Sequence, residues 1–113
     1  MTPTEMVRAI LNNIETARAV MEDGPTGYVL HTRDYVHFVC RHGGYALRLG
    51  SPLADDVEVY TTHASAVVAQ RWWNSRGDAD TLNKVLISLR REALVGYIDV
   101  QKRALDILTG VKQ

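Results

Sequence analysis

The sequence has little that could cross-link a small protein or attach it to a membrane. Its 113 residues include a single cysteine, Cys40, so the chain can form no internal disulfide, which fits a reducing compartment. No apolar run approaches the roughly 20 residues of a membrane-spanning helix. The opening residues are interrupted by the charges of Glu5, Arg8 and Glu15 and lack a signal-peptide pattern. These absences predict a cytoplasmic protein with no membrane partner.

Neither sign of charge is in excess. Thirteen Lys and Arg residues balance thirteen Asp and Glu residues, which gives a formal net charge of zero. General nucleic-acid binders usually carry a clear basic excess, so the balance argues against that class. The hydrophobic content of 46% and charged content of 23% are close to the globular average. The length and composition therefore predict a single domain spanning residues 1–113.

Signatures of catalysis and metal binding are also missing. Zinc sites need convergent ligands at short characteristic spacings, and the histidines here are irregularly spaced. Cys40 alternates with Phe38 on an apolar strand face, where cysteine behaves as a small hydrophobic residue. No glycine stretch, including Gly43-Gly44, matches a phosphate-binding loop. We therefore predict no catalytic residue, no bound metal, no cofactor and no enzymatic activity. The four histidines are His31, His37, His42 and His63.

The first element is predicted to be a helix over about residues 3–22. Thr2 can cap it, Pro3 suits its first position and Glu5 completes a capping box. Apolar residues then recur at helical spacing. Gly24 can end the helix in the left-handed conformation.

The period changes to that of strands in the next stretch. Residues 28–32, 35–41 and 45–49 each read as a strand, and short polar or glycine-rich connections favour antiparallel hairpins between them. A fourth, short strand is predicted over 57–60, plausibly at an edge of the sheet. The pattern therefore predicts an antiparallel β-meander of three or four strands.

Two helices are predicted to follow the meander. The first begins at Thr61 or Thr62 and runs to about Asn74, with an apolar face of Ala64, Val67, Val68 and Trp72. The second begins at Asp78 or Asp80 and reaches about Leu108. The predicted fold class is thus α+β, with an N-terminal helix, the meander, a short helix and a long C-terminal amphipathic helix.

The long C-terminal helix is predicted to carry more apolar surface than its own domain covers. A helix of about 30 residues would be on the order of 40 Å long, against strands of about 17–20 Å. Its row of apolar residues is either buried against the first helix and the sheet, or it meets a partner or a second copy. Gly96 either permits close packing of a neighbouring backbone or splits the helix into two. The residues predicted for self-association in a homodimer are Leu89, Ala93, Gly96, Tyr97, Val100, Ala104, Ile107 and Leu108.

Trp72 and Trp73 are the second candidate binding feature. Adjacent helical positions point about 100° apart, so the two indoles cannot easily share one core face. We expect one to pack inside with Val68 as its neighbour, and the other to lie near the surface close to Arg71 and Arg76. Exposed tryptophan beside arginine is typical of interface hot spots. The alternative is that the last helix covers both indoles.

The predicted sheet carries a third candidate surface. Tyr35, His37, Arg41 and Arg48, together with Tyr45, lie on neighbouring strands. Aromatic residues interleaved with arginines can stack single-stranded nucleic acid on a sheet. Strand register decides whether these side chains share a face.

The central part of the chain resembles small orphan proteins of phages and mobile elements. It runs from Gly27-Tyr28-Val29-Leu30 through Gly43-Gly44-Tyr45 to Tyr60-Thr61-Thr62-His63-Ala64 and looks like a small β-meander-plus-helix module. The resemblance implies binding of host machinery, as in anti-CRISPR inhibitors, and supplies no functional residue.

We therefore expect a non-enzymatic protein-binding module that acts by stoichiometric association. Its most concrete form is an inhibitor of a host nucleic-acid-processing complex. The alternatives are a small nucleic-acid-binding regulator that uses the sheet aromatics and arginines, and a small enzyme with a histidine base.

Overall fold

A computed structural model of the chain describes residues 1–42, 46–76 and 84–110, without the side chain of His42. Its elements confirm the predicted α+β class, with helices at both ends of the chain around an antiparallel sheet. The predicted Gly43-Gly44 turn and the predicted helix start at Asp78 or Asp80 lie outside the described residues. In chain order the elements are α1 (Pro3–Asp23), β1 (Tyr28–His31), β2 (Phe38–His42), β3 (Ala46–Gly50), α2 (His63–Asn74), β4 (Leu86–Leu89) and α3 (Arg90–Thr109).

Helix α1 begins and ends close to its predicted bounds. The Thr2 hydroxyl accepts a hydrogen bond from the Glu5 backbone N–H at 3.2 Å, and Pro3 occupies the first helical position. The prediction of a left-handed Gly24 is wrong, because its φ is −105°. A Cβ atom at Gly24 would overlap the guanidinium of Arg90, so a larger residue there would displace that side chain.

The four strands lie in the order β3-β2-β1-β4, and every neighbouring pair is antiparallel. Strands β1 and β2 share a single register pair, His31 with Phe38, and then diverge. Segment 57–60 lies in the opening between them, where Val57 bridges to Cys40 and Tyr60 bridges to Tyr28. The predicted edge strand over 57–60 is therefore wrong, because this segment fills a gap inside the sheet.

Strand β4 replaces the start of the predicted long helix. Leu86 and Leu89 fit a helical seam by spacing, but they lie on a strand that pairs with β1 over four registered residues. This pairing satisfies the outer edge of β1, a long-range gain that local periodicity does not report. Helix α3 accordingly starts at Arg90 and has 20 residues. It ends at Gly110, whose φ of 74° is the left-handed conformation typical of a helix end.

The sheet is packed on both faces, which makes a three-layer domain. Val29 and Leu30 are neighbours in β1, yet they enter separate clusters, because successive side chains of a strand point to opposite faces. The cluster on the α3 side consists of Val29, Phe38, Ala93 and Leu94, and Ile14, Ala17, Tyr97 and Ile98 continue it between α1 and α3. The cluster on the α2 side consists of Leu30, Val39, Trp73 and Val85.

Helix α3 continues unbroken through Gly96. The ring of Tyr35, a residue in the β1–β2 turn, lies so close to the helix that a Cβ atom at Gly96 would overlap it. Tyr35 itself has a φ of 61°, an uncommon conformation for a tyrosine. Gly96 therefore permits close packing of a side-chain ring and not of the neighbouring backbone that was predicted, and the predicted alternative of a helix break is wrong.

The side chain of Arg90 joins the end of α1 to the start of α3. Its Nη2 donates a hydrogen bond to the Val20 carbonyl at 2.6 Å, and its Nη1 donates to the Pro25 carbonyl at 3.5 Å. Val20 lies in the last turn of α1, where carbonyl groups lack helical partners and carry partial negative charge. Burial lowers the pKa of Arg90. The backbone N–H of Arg90 also donates to the Gly27 carbonyl at 2.8 Å.

Replacing Gly96 with alanine tests the contact with Tyr35. Alanine has the higher helix propensity, by about 1 kcal/mol, but overlap with the ring should cost about 1–3 kcal/mol. We expect Gly96→Ala to lower the free energy of unfolding in urea denaturation, and to do so much less in a Tyr35→Ala background. Val95→Ala, at an exposed position of the same helix, is the control. An equal loss in both backgrounds would contradict the contact.

Arg90 and Arg91 form a matched pair for testing the helix joint. Arg90→Met should lower the free energy of unfolding by about 1–3 kcal/mol, because it leaves two partly buried carbonyl groups without their donor. Arg91→Met removes only an exposed pair with Glu22 at 3.7 Å and should change stability by less than about 0.5 kcal/mol. Equal effects of the two substitutions in chemical denaturation would show that Arg90 does not hold the joint.

Candidate protein-binding surface on helix α2

Helix α2 buries one tryptophan and exposes the other, as predicted, but the choice between them is the reverse of the prediction. Trp73 is 7% exposed and packs on the sheet, whereas Trp72 is 52% exposed. The face toward the sheet is formed by Ala66, Ala69 and Trp73. The predicted apolar face is therefore wrong, and its member Val68 is 68% exposed.

Exposed residues of α2 and its C-terminal cap form a continuous stripe with cations at one end. Val68 and Trp72 are four residues apart, so they share one side of the helix, and Arg76 follows the Ser75 cap. The Arg76 guanidinium lies 5.3 Å from the Trp72 ring centroid and 5.7 Å from that of Trp73, within cation–π range. Arg71 is exposed beside Trp72. We refer to Val68, Arg71, Trp72 and Arg76 as the tryptophan patch.

The tryptophan patch stands on a well-anchored helix. At its start, the Thr62 hydroxyl accepts a hydrogen bond from the Ser65 backbone N–H at 3.1 Å. At its end, the Asn74 side chain accepts from the Val85 N–H at 2.9 Å and donates to the Val85 carbonyl at 3.1 Å. The Asn74 amide thus pairs with Val85 as a neighbouring strand would. Gln70 donates to the same carbonyl at 3.1 Å.

The predicted sheet surface is not assembled into one face. Arg41 donates through Nε to Glu58 at 2.9 Å, and Arg48 donates to Asp56 at 2.8 Å, so acidic residues of the chain already pair with both cations. Tyr35 lies against Gly96, away from both arginines, and His37 is exposed in the β1–β2 turn. Tyr45 lies outside the described residues.

The residues predicted for self-association are largely covered by the chain itself. Ala93 and Tyr97 are buried in the core, and Gly96 lies under the Tyr35 ring. Val100, Ala104 and Leu108 are half-buried, whereas Leu89, at the end of β4, and Ile107 are exposed, the latter by 77%.

Helix α1 packs along α3 and covers most of the residues predicted for self-association. Its 21 residues match the 20 of α3, and both helices are about 30 Å long. The pair is antiparallel, because Asn13 contacts Gln101 while Val20 contacts Arg90. The length argument for a dimer therefore no longer holds.

A buried histidine and a serine form a hydrogen-bonded pair that the sequence did not suggest. His31 Nδ1 lies 2.9 Å from the Thr32 carbonyl oxygen, which can only accept, so Nδ1 carries the proton. Nε2 of the neutral ring then accepts from the Ser88 hydroxyl at 2.7 Å. The imidazole is fully buried, stacked on Tyr35 at 4.5 Å and near Phe38 at 5.6 Å.

This pair combines a base with a hydroxyl group, as nucleophilic sites do. The ring, however, is enclosed by the core and meets Ser88 from inside the sheet, so the contact satisfies two polar groups. Burial lowers the pKa of His31, against the opposing influence of the Thr32 carbonyl and the Asp34 carboxylate.

Cys40 and Arg90 are two further reactive groups, and both make contacts inside the fold. Cys40 is fully buried, as predicted, and burial raises the pKa of its thiol. A cleft of about 310 Å³ between α1 and segment 52–59 is bordered by Arg90, whose guanidinium already bonds backbone carbonyls.

Among the described residues, no three His, Cys, Asp or Glu side chains are placed to hold a metal ion, and no helix is long and apolar enough to cross a membrane.

Comparison of the chain with protein-family models, with curated proteins and with solved structures gives no match.

The buried imidazole makes the stability of the fold depend on pH. An unfolded histidine binds a proton near pH 6.5, but His31 in the folded chain binds it only at lower pH. The unfolded state therefore holds more protons below about pH 6.5, and the free energy of unfolding falls as the pH drops through that window. His31→Gln, whose side-chain oxygen can accept from Ser88, should flatten this slope in urea denaturation between about pH 7.5 and 5.

The matched control for this experiment is His37→Gln, at an exposed position. The control should keep the wild-type slope. Asp34, whose pKa is lowered chiefly by the hydrogen bond from Thr32, titrates below its ordinary value of 3.8 and so outside the window. A slope that survives in His31→Gln would contradict the assignment.

Proposed function

We propose that the chain is a non-enzymatic protein-binding module that acts by stoichiometric association through the tryptophan patch. The observation that carries the proposal is Trp72, which is half exposed although the adjacent Trp73 supplies the core contact of α2. An indole is costly to leave in water, and tryptophan and arginine are the residues most enriched at interface hot spots. Val68 extends the apolar area along the same side of the helix.

The surroundings of Trp72 favour binding because they are already ordered. Trp73 anchors α2 in the core, and Asn74 binds the backbone of Val85, just before β4. Arg76 holds its guanidinium over both indoles. A surface on such a fixed helix loses little conformational entropy on association, which leaves more of the contact energy for affinity.

The concrete form that we propose is an inhibitor of a host nucleic-acid-processing complex of the CRISPR type. Its support is the resemblance of the central run, from Gly27 to Ala64, to small proteins of phages and mobile elements. The tryptophan patch lies directly after this run and would supply the contact surface. A homodimer through Ile107 has less support, since the neighbouring apolar residues of α3 are covered by their own chain.

Direct nucleic-acid binding and histidine-based catalysis also have less support. Arg41 and Arg48, the cations expected on the sheet, are already paired with Glu58 and Asp56. His31, the histidine with a hydroxyl partner, lies inside the core.

Trp72→Ala tests the proposal. The tagged chain should capture a host complex at a fixed molar ratio, and Trp72→Ala should weaken this binding at least about thirtyfold, as loss of a hot spot of about 2 kcal/mol does. Ile107→Ala, which truncates a still more exposed apolar residue on α3, should bind as the wild type does. Quantitative mass spectrometry of the captured chains, with thermal melting of each variant, provides the measurement.

An interference assay gives a second readout. Expression of the wild-type chain in a host with active CRISPR immunity should restore transformation by a targeted plasmid, and Trp72→Ala should not. Full immunity against excess wild-type chain would refute the inhibitor form. Equal capture by wild type and Trp72→Ala would refute the patch itself.

A further inference from the structure

We infer that the tryptophan patch binds an acidic protein segment, one that places carboxylates beside an apolar anchor. This inference rests on the proposed function and adds the chemistry of the partner. Its basis is the charge of α2 and of the cap that follows it.

Helix α2 carries charge of one sign. His63–Asn74 and the following Ser75 and Arg76 contain no aspartate and no glutamate, although the chain as a whole is neutral. Arg71 and Arg76 supply the two formal charges, and both are exposed. The stretch 63–76 therefore carries positive charge, ahead of Asp78 and Asp80 in the sequence, and this charge complements a negative surface.

These two arginines also differ from those near the sheet in having no acidic partner within the described part of the chain. Arg41 pairs with Glu58, and Arg48 pairs with Asp56. No ion pair joins Arg71 or Arg76 to another described residue. Their charges are thus available to a carboxylate brought by a partner.

The stacked guanidinium of Arg76 is suited to a carboxylate in particular. Its carbon lies 5.3 Å from the Trp72 ring centroid and 5.7 Å from that of Trp73, within cation–π range, and a guanidinium packed beside aromatic rings keeps N–H donors for a carboxylate. A carboxylate approaching the edge can then accept two parallel hydrogen bonds. Because the group is already held, little side-chain entropy is lost when the partner binds.

The spacing of the patch residues indicates how far apart the apolar group and the carboxylate of the partner should lie. Val68 and Trp72 are four residues apart on α2, which is about 6 Å along the helix axis. Because the Arg76 guanidinium lies 5.3 Å from the Trp72 ring centroid, an apolar side chain resting on Val68 and Trp72 lies within about 6–12 Å of a carboxylate bound to Arg76. Neighbouring side chains on one face of a helix, or alternate ones on an extended strand, have separations of this order.

A nucleic acid fits this surface less well than an acidic protein. Affinity for a phosphate backbone grows with the number of phosphates neutralised, and the patch offers two cations. Stacking of successive bases needs several exposed rings, but Trp73 is in the core and Tyr35 lies against α3. Val68 instead provides an apolar contact that a protein side chain can use.

Selection from a displayed library of random twelve-residue peptides tests the inference. The immobilised chain is the target, and clones that also bind Trp72→Ala are removed. The peptides that remain should be enriched in aspartate and glutamate close to an apolar residue. Arg76→Gln and Arg71→Gln should each weaken the binding of a selected peptide about tenfold, and added salt should weaken it further. Arg103→Gln, an exposed arginine on α3, is the matched control and should have no effect.

The other outcomes separate the two proposals. Peptides that need Trp72 but show no excess of carboxylates would overturn the acidic partner and leave the protein-binding function standing. A thymidine dodecamer that binds more tightly than any selected peptide, and only when Trp72 is present, would overturn the acidic partner in favour of nucleic acid. A library without any Trp72-dependent peptide would overturn both proposals. Thermal melting of the arginine variants, which carry exposed substitutions, should match the wild type.

Discussion

The burial of the Arg90 side chain at the end of α1 is the constraint on which the arrangement of the layers depends. One residue binds the last turn of α1 through its guanidinium and the turn before β1 through its backbone N–H. It does so at the point where β4 becomes α3. A cation is stabilised there by the partial negative charge of the helix end, so no carboxylate is required. The same contact explains the glycine at Gly24, because any side chain at that position would occupy the space of the guanidinium.

Local signals in the sequence predicted most of the elements. Thr2 and Thr62 cap their helices as expected, and the meander follows the alternation of its side chains. The stretch from Leu86 to Leu89 was predicted to be helical, since a strand of four residues can satisfy a four-and-three spacing by chance. Only its pairing with β1, almost 60 residues away along the chain, decides its conformation. The same pairing shortened the last helix and removed the reason for a dimer.

The sequence predicted the candidate surface only in part, because packing on the sheet decides which tryptophan is buried. The angle between adjacent helical positions requires that Trp72 and Trp73 diverge, but it does not say which of them meets the sheet. The small side chains of Ala66 and Ala69 decide this, because they let α2 approach the sheet on the side that carries Trp73. The pairing of His31 with Ser88 had no signal at all, since 57 residues separate the two and each is common in cores and strands.

Segment 57–60 is a connecting segment in which the fold should tolerate insertions poorly. Connecting segments ordinarily accept insertions, because they run over the surface and carry no part of the core. Here the connection between β3 and α2 closes an opening in the sheet, and Val57 and Tyr60 bridge to strands on either side of it. An added residue would move each of those backbone groups out of register with its partner. An insertion in this loop should therefore disturb the sheet as an insertion in a strand would.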